Sequence, residues 1–278
     1  MFTKQFGLEI EFTGISREKA AETVAHYLGG NATITGDYYD TQKITAPDGR
    51  TWKLMYDGSI NCQKKDGRRT VSAGSNYSVE LVSPILSYRE DIGMVQALAR
   101  RLRKAGGFAN KSCGIHIHLD GASHTPRSIR NFVNIIYAHN DLLYKALQIA
   151  PERMRYCKKM DAYLVERMNQ SKPKTLRQIE SIWYENYSGS RNGHYHQSRY
   201  HFLNLHSFFH GNHTVELRGF NSTLHAGKIR AYIVLALALN HQALTQKSAS
   251  YRKVQEENEK FAMRVWLNRI GFIGDEFK

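Results

Sequence analysis

The sequence predicts an α+β fold, a mainly antiparallel sheet backed by helices. Three observations carry this prediction. Several strand-length runs alternate apolar and polar residues, the period-two signature of a sheet with one buried face. Short hairpin signals join some of them. Helical segments fall between the strands without a regular βαβ rhythm. With 278 residues, 41% of them hydrophobic and only 5 prolines, the chain can bury a sizeable core, and wholesale disorder is excluded.

The elements read in order as follows. GLEIEF, ending at Phe12, alternates as a half-buried strand. Ser16 caps a helix that runs to about Leu28 and closes at Gly29-Gly30. Tyr38–Thr45 and Thr51–Tyr56 form a hairpin with Pro47-Asp48-Gly49 in its turn. Tyr77–Val82 is a strand, and Arg89–Lys104 a basic amphipathic helix ending at Gly106-Gly107. Gly114–Leu119 is a strand, and Pro126–Ile149 one long helix with proline at its start. Residues 151–199 read as helical pieces joined by polar loops, with 188–199 the mobile stretch. Strands follow at His201–Phe209 and Thr214–Phe220, then a strongly apolar helix at Ala226–Leu244. The tail from about Ser248 is a polar helix docked through Phe261, Val265 and Trp266. The expected organisation is one catalytic domain over 1–247, with a helical insertion at about 151–199, and a helical extension over 248–278.

The net charge of +14 lies wholly beyond residue 90, because residues 1–90 balance at 11 basic and 11 acidic side chains. Such a chain favours anionic partners. Its longest apolar run, Ala231–Leu239, is too short to cross a bilayer. The opening MFTKQFGLEIEF lacks a secretory apolar core. The three cysteines (Cys62, Cys113, Cys157) form no CxxC pair. A reduced, cytoplasmic protein is therefore expected.

Four strands keep one polar face each. Glu9 and Glu11 oppose Leu8, Ile10 and Phe12; His116, His118 and Asp120 oppose Ile115, Ile117 and Leu119. Glu216 and Arg218 oppose Val215 and Leu217, and Glu80 opposes Val79 and Leu81. If the strands share a sheet, these faces pool carboxylates, two imidazoles and a guanidinium, in place of the Lys, Thr and Ser of an ordinary solvent face. Crowded carboxylates need cations, and carboxylates with few imidazoles suit Mg²⁺ or Mn²⁺.

FGLEIEF, YDGSI (56–60), SVELVSP (78–84), CGIHIHLD (113–120), RYHFLNL (199–205) and TVELRGF (214–220) together resemble the amidoligases, over about residues 2–245. These are carboxylate–amine ligases related to glutamine synthetase and glutamate–cysteine ligase. The resemblance implies a sheet curved into a half-barrel or funnel with helices on its convex side. It also implies ATP-dependent amide formation through an acyl phosphate. It assigns Glu9, Glu11, Glu80, His116 and Glu216 as metal ligands. His118 becomes a phosphate-contacting partner, and Arg218 the guanidinium facing the transferred phosphoryl group. Arg199 and Asn204 would touch nucleotide or substrate, and Asp57 and Ser59 rim the site. The implied catalytic set is Arg218, Glu216, His118 and Glu11, with ATP and Mg²⁺ (or Mn²⁺) as cofactors. No protein nucleophile is required, so Cys113 stays out of the chemistry.

The partners expected are a carboxylate substrate and an amine acceptor, each a small molecule, peptide or polyanionic polymer. No membrane is involved, and the ring assemblies of the ancestral fold are compatible with an oligomer. Arg153, Arg155, Lys158 and Lys159 of the insertion, with the 188–199 loop, are the expected acceptor-binding lid. Seven of the thirteen histidines fall between His194 and His225, but His206 and His210 lie in a strand-and-turn segment that argues against zinc. Two alternatives stand beside the ligase. One is a metallohydrolase built on His116, His118 and Asp120, although Gly121 occupies the place where that motif needs a further histidine. The other is a basic nucleic-acid-binding protein, for which no helix-turn-helix, RRM or zinc-finger pattern is present.

Overall fold

A computed structural model describes residues 5–193, 195–255 and 257–274. His194 and the last four residues of the tail, both within segments read above, lie outside the described residues. The strands are β1 (Gln5–Phe12), β2 (Asn31–Ile34), β3 (Gln42–Thr45), β4 (Thr51–Met55), β5 (Gln63–Asp66), β6 (Arg69–Ser72), β7 (Val79–Val82), β8 (Leu86–Ser87), β9 (Gly114–Asp120), β10 (Leu203–Asn204) and β11 (Thr214–Asn221). The α-helices are α1 (Arg17–Leu28), α2 (Tyr88–Lys104), α3 (Pro126–Ala138), α4 (Asn140–Ala146), α5 (Ala162–Ser171), α6 (Leu176–Trp183), α7 (His206–His210), α8 (Ala226–Thr245) and α9 (Glu259–Arg269).

The main sheet runs β10-β11-β9-β1-β7-β4-β3-β2, with β8 also pairing β1, and every pairing in it is antiparallel. It is curved and does not close on itself. The α+β architecture read from the sequence is therefore the observed one. Alternation explains why these residues share one sheet. Phe6, Leu8, Ile10 and Phe12 of β1 are buried, as are Ile115, Ile117 and Leu119 of β9 and Val215, Leu217 and Phe220 of β11. This apolar face packs on helices, with α8 against β9 and α1 against β3 and β4. Caps fix the helix ends: Ser16 accepts the Lys19 N–H, and Gly29 ends α1 at φ 67°, a conformation that favours glycine.

Several boundaries differ from the sequence reading. The single helix over 126–149 breaks at His139, where φ is −106° and ψ 8°. The His139 ring bonds back to the Ile135 carbonyl and stacks on Trp266 at 3.7 Å. Trp266 thus docks α9 as expected, whereas Phe261 is 62% exposed and takes no part. The strand expected over 201–209 shrinks to Leu203–Asn204, because the Asn204 side chain accepts the His206 N–H and starts the short α7. Residues 38–41 turn before β3, since the Asp37 carboxylate accepts the Tyr39 and Thr41 N–H groups. Tyr77 lies in a 3₁₀ turn ahead of β7. The β5–β6 hairpin carries charge on both faces, so no alternation announced it.

Candidate active site

The polar face of the sheet is ordered in rows by strand register. In one row Asn204 stands opposite Glu216, and Glu216 opposite His118. In the next, His116 stands opposite Glu9, Glu9 opposite Val82, and Val82 opposite Lys53. In the third, Glu11 stands opposite Glu80, and Glu80 opposite Met55. The four polar-faced motifs of the sequence are therefore brought together.

A bulge aims Arg218. Leu217 pairs with Ile117 and Phe220 with Ile115, so Arg218 and Gly219 together face His116. The extra residue keeps Phe220 in the core while Glu216 and Arg218 both stay on the polar face. A side chain at position 219 would lie 1.9 Å from the buried Phe202 ring, so only glycine fits there. Arg153 braces the bulge, donating to the Arg218 carbonyl at 2.8 Å and the Phe220 carbonyl at 2.5 Å. It is 2% exposed and fills the space that a Cβ on Gly114 would take. Two of its donors are committed to backbone, so it lines the cleft as a fixed brace and not as part of an acceptor-binding lid. Lys159 pairs with Asp141, while Arg155 and Lys158 are exposed.

The side chains converge closely. One Glu9 oxygen lies 2.9 Å from His116 Nδ1 and the other 3.1 Å from His118 Nε2. Glu11 lies 3.5 Å from His116 Nε2 and accepts the Gly114 N–H at 2.6 Å. Arg218 donates to one oxygen of Glu216, and the Asn204 amide donates to the other at 2.6 Å. Three overlapping groups have ligand atoms all within 4.8 Å of one another: Glu9, His118 and Glu216; Glu9, Glu80 and His116; and Glu11, Asp57 and Glu80. Asp57, read from the sequence only as a rim residue, thus joins a carboxylate cluster, while Ser59 donates its N–H to it. Asp120 is exposed, accepts the Ala122 N–H and belongs to none of these groups.

Burial and charge divide the site into two halves. Burial works against the ionised forms of Glu9 and Glu216, but the neighbouring cations prevail. His118 and His116 hold Glu9 well below the usual carboxylate range, and Arg218 with the two histidines brings Glu216 down to about 2. Burial also opposes the His118 cation, yet Glu9 and Glu216 raise it to about 9. His116 is lowered to about 4, by burial and then by Arg218. In the other half, burial and then the nearby Asp57 push Glu11 up to about 8. Burial, Glu9, Asp57 and Glu11 push Glu80 well above its ordinary value. This half holds protons where a cation would hold it ionised.

Stability at fixed pH follows from Glu11. Its carboxyl is neutral in both folded and unfolded chains below about 4.5, and no energy depends on it there. Between 4.5 and 8 the unfolded chain ionises and the folded one lags, so stability falls as pH rises. Glu11→Gln removes that loss and can still accept the Gly114 N–H. In chelator-treated protein the variant is expected to melt close to wild type at pH 5 and higher than wild type at pH 8. Melting curves across that range check it, and a difference independent of pH would contradict it.

The face opens into a cleft of ≈ 740 Å³, within the range of small-ligand pockets. Glu9, Glu11, Glu80, His116, Arg218 and Arg199 line it, with Lys53, Asp57 and Ser59. Tyr38, Tyr39, Tyr56, Tyr156, Tyr195 and Tyr200 also line it; Tyr56 and Tyr200 fall in the YDGSI and RYHFLNL motifs, and no motif pointed to the other four. The Tyr39 and Tyr195 hydroxyls meet at 2.9 Å, joining the turn before β3 to the 188–199 loop. Asn204 is buried behind the wall and positions Glu216. The histidines outside the cleft have other partners: His206 bonds Tyr184 and the Gly193 carbonyl, and His210 pairs with Glu180. A larger groove of ≈ 1150 Å³ between α4 and α9 is walled by residues such as Leu142, Met263, Leu267 and Phe272. It contains none of the ligand groups. Chemistry rather than size selects the site.

The Amidoligase_2 family model, described as "Putative amidoligase enzyme", matches residues 3–240. No curated protein matches the chain.

Proposed function

The chain belongs to the amidoligase family, and from that premise we propose that it joins a carboxylate to an amine using ATP, through an acyl phosphate. Amide-bond formation is the family's chemistry; ATP, the acyl phosphate and the metal are the proposal. The observation that carries it is the row of three ligand groups sharing Glu9 and Glu80, with Arg218 beside them.

The donor set fits Mg²⁺ or Mn²⁺: carboxylates dominate, each group has at most one imidazole, and the protonated Glu11–Glu80 half is the one a divalent ion would relieve. Glu9, Glu11, Glu80, His116 and Glu216 would hold the ions, with Asp57 as a further ligand. Bound there, the cations would neutralise charge on the β- and γ-phosphates. In the first step a substrate carboxylate oxygen bonds the γ-phosphorus and ADP leaves. In the second the amine bonds the acyl carbon, and phosphate leaves, taking up the amine's proton. Arg218 is fixed by Glu216 and the braced bulge, and its planar fork suits phosphoryl oxygens as lysine would not. Its preorganisation means little reorganises when charge develops. His118, 3.1 Å from Glu9 and grouped with Glu216, would stand beside the phosphates. Arg199, on the cleft wall, would contact nucleotide or substrate, and both substrates would be positioned against one another in the cleft.

The metallohydrolase alternative lacks its third ligand, because Asp120 does not join the histidines. No helix among the described residues is long and apolar enough to cross a membrane. The reaction is proposed for the cytoplasm, where ATP and Mg²⁺ are supplied and the three unpaired cysteines stay reduced.

Thermal melting with ATP, with Mg²⁺ and with both tests the reading. A ligand bound only by the folded state raises the melting temperature by mass action. Wild type is expected to shift only when both are present, and Glu216→Gln not to shift. A shift with Zn²⁺ alone, or none with any nucleotide, contradicts it.

A further inference from the structure

The row that holds His116 and Glu9 continues across the sheet. Val82 follows Glu9, Lys53 follows Val82, and Lys43 stands directly opposite Lys53. Paired residues share a face, so both ammonium groups belong to the polar side of the sheet. Both lysines are exposed, and Lys53 lines the cleft. Neither forms an ion pair among the described residues. Like charges directly opposite on neighbouring strands destabilise a sheet. Two unpaired cations held side by side, in register with the ligand groups, are an arrangement that an anion completes.

We propose that Lys43 and Lys53 form an anion subsite that holds a second acidic group of the acid substrate, and that this substrate is an extended acidic peptide. The proposal rests on the ligase reading for which end of the substrate reacts. Neighbouring strands lie about 4.8 Å apart, so Lys53 and Lys43 stand roughly 10 and 14 Å from Glu9 along the row. An extended chain covers about 3.3–3.6 Å per residue, so a carboxylate three or four residues from the reacting one reaches the lysines. Lys53 and Arg199 on the cleft wall suit a negatively charged chain. A nucleic acid would match the charge but carries no carboxylate for the reaction to consume.

Isothermal titration with pentaglutamate and with free glutamate tests this, at low and at physiological salt. The proteins are wild type, Lys43→Gln/Lys53→Gln and Lys43→Arg/Lys53→Arg. Wild type is expected to bind pentaglutamate at least about tenfold more tightly than the glutamine variant, an energy of about 1.4 kcal/mol. The arginine variant should restore the affinity, and free glutamate should not distinguish the three. Equal pentaglutamate affinity in variants of unchanged melting temperature would overturn the subsite. A five-nucleotide single strand that binds in place of the peptide and is lost with the lysines would overturn the peptide assignment. The ATP–Mg²⁺ shift is measured on the same proteins. Its absence from wild type defeats the ligase reading, while the titrations alone decide the subsite.

Discussion

Glu9→Gln is expected to abolish the joint ATP–Mg²⁺ stabilisation and to lower turnover on the order of 10³-fold. Glu9 belongs to two of the three ligand groups, and its two oxygens divide between His116 and His118. Glutamine keeps the volume but loses the charge and one acceptor, so neither group remains complete. Folding should survive, because Glu9 lies on the open polar face while Leu8 and Ile10 hold β1 in the core. His118, raised first of all by Glu9, should then lose its proton at lower pH than its present value of about 9. Histidine NMR reads that shift directly, and melting with and without ATP–Mg²⁺ reads the binding. Retained nucleotide stabilisation in the variant would remove Glu9 from the site.

Arg153→Leu is expected to cost about 2–5 kcal/mol of stability, from two backbone carbonyls that lose a charged donor. For a chain of this size that lowers the melting temperature by roughly 10 °C. The guanidinium is buried, and two of its donors bond the carbonyls of Arg218 and Phe220. Leucine takes the charged donor away from both carbonyls. It also removes a cation that lowers Glu11. The effect reaches function, since the carbonyl released is that of Arg218. Arg153→Lys should recover part of the stability but less of the turnover, one ammonium replacing a fork that spans two carbonyls. A melting temperature within about 2 °C of wild type would show that the bulge stands without its brace.

The four polar-faced strands were legible because period two is a local property, and it survives into any sheet whose other face is buried. GLEIEF and GIHIHLD placed Glu9, Glu11, His116 and His118 on one side before any pairing was known, and the register then set Glu9 opposite His116. What depends on two distant segments was not legible. Arg153 reads as one cation of a basic run, and only the tertiary fold lays it across the bulge at Arg218–Gly219. Asp57 lies in a turn, where no periodicity indicates direction, yet the turn carries it to Glu80. Lys43 and Lys53 are ordinary strand lysines until the hairpin register sets them opposite each other. Pro126–Ile149 reads as one helix because its propensities are continuous. Trp266, more than 120 residues along the chain, meets it at the break on His139.

The most direct test of the central claim, that the shared Glu and His face is where a divalent ion meets the γ-phosphate, is the electron paramagnetic resonance of Mn²⁺ bound with ATP carrying ¹⁷O in its γ-phosphate. The resonance lines of protein-bound Mn²⁺ should broaden with the labelled nucleotide in wild type. Glu9→Gln should show no such broadened, protein-bound signal. Protein-bound Mn²⁺ whose spectrum ignores the label, or one that broadens equally in wild type and Glu9→Gln, would contradict it.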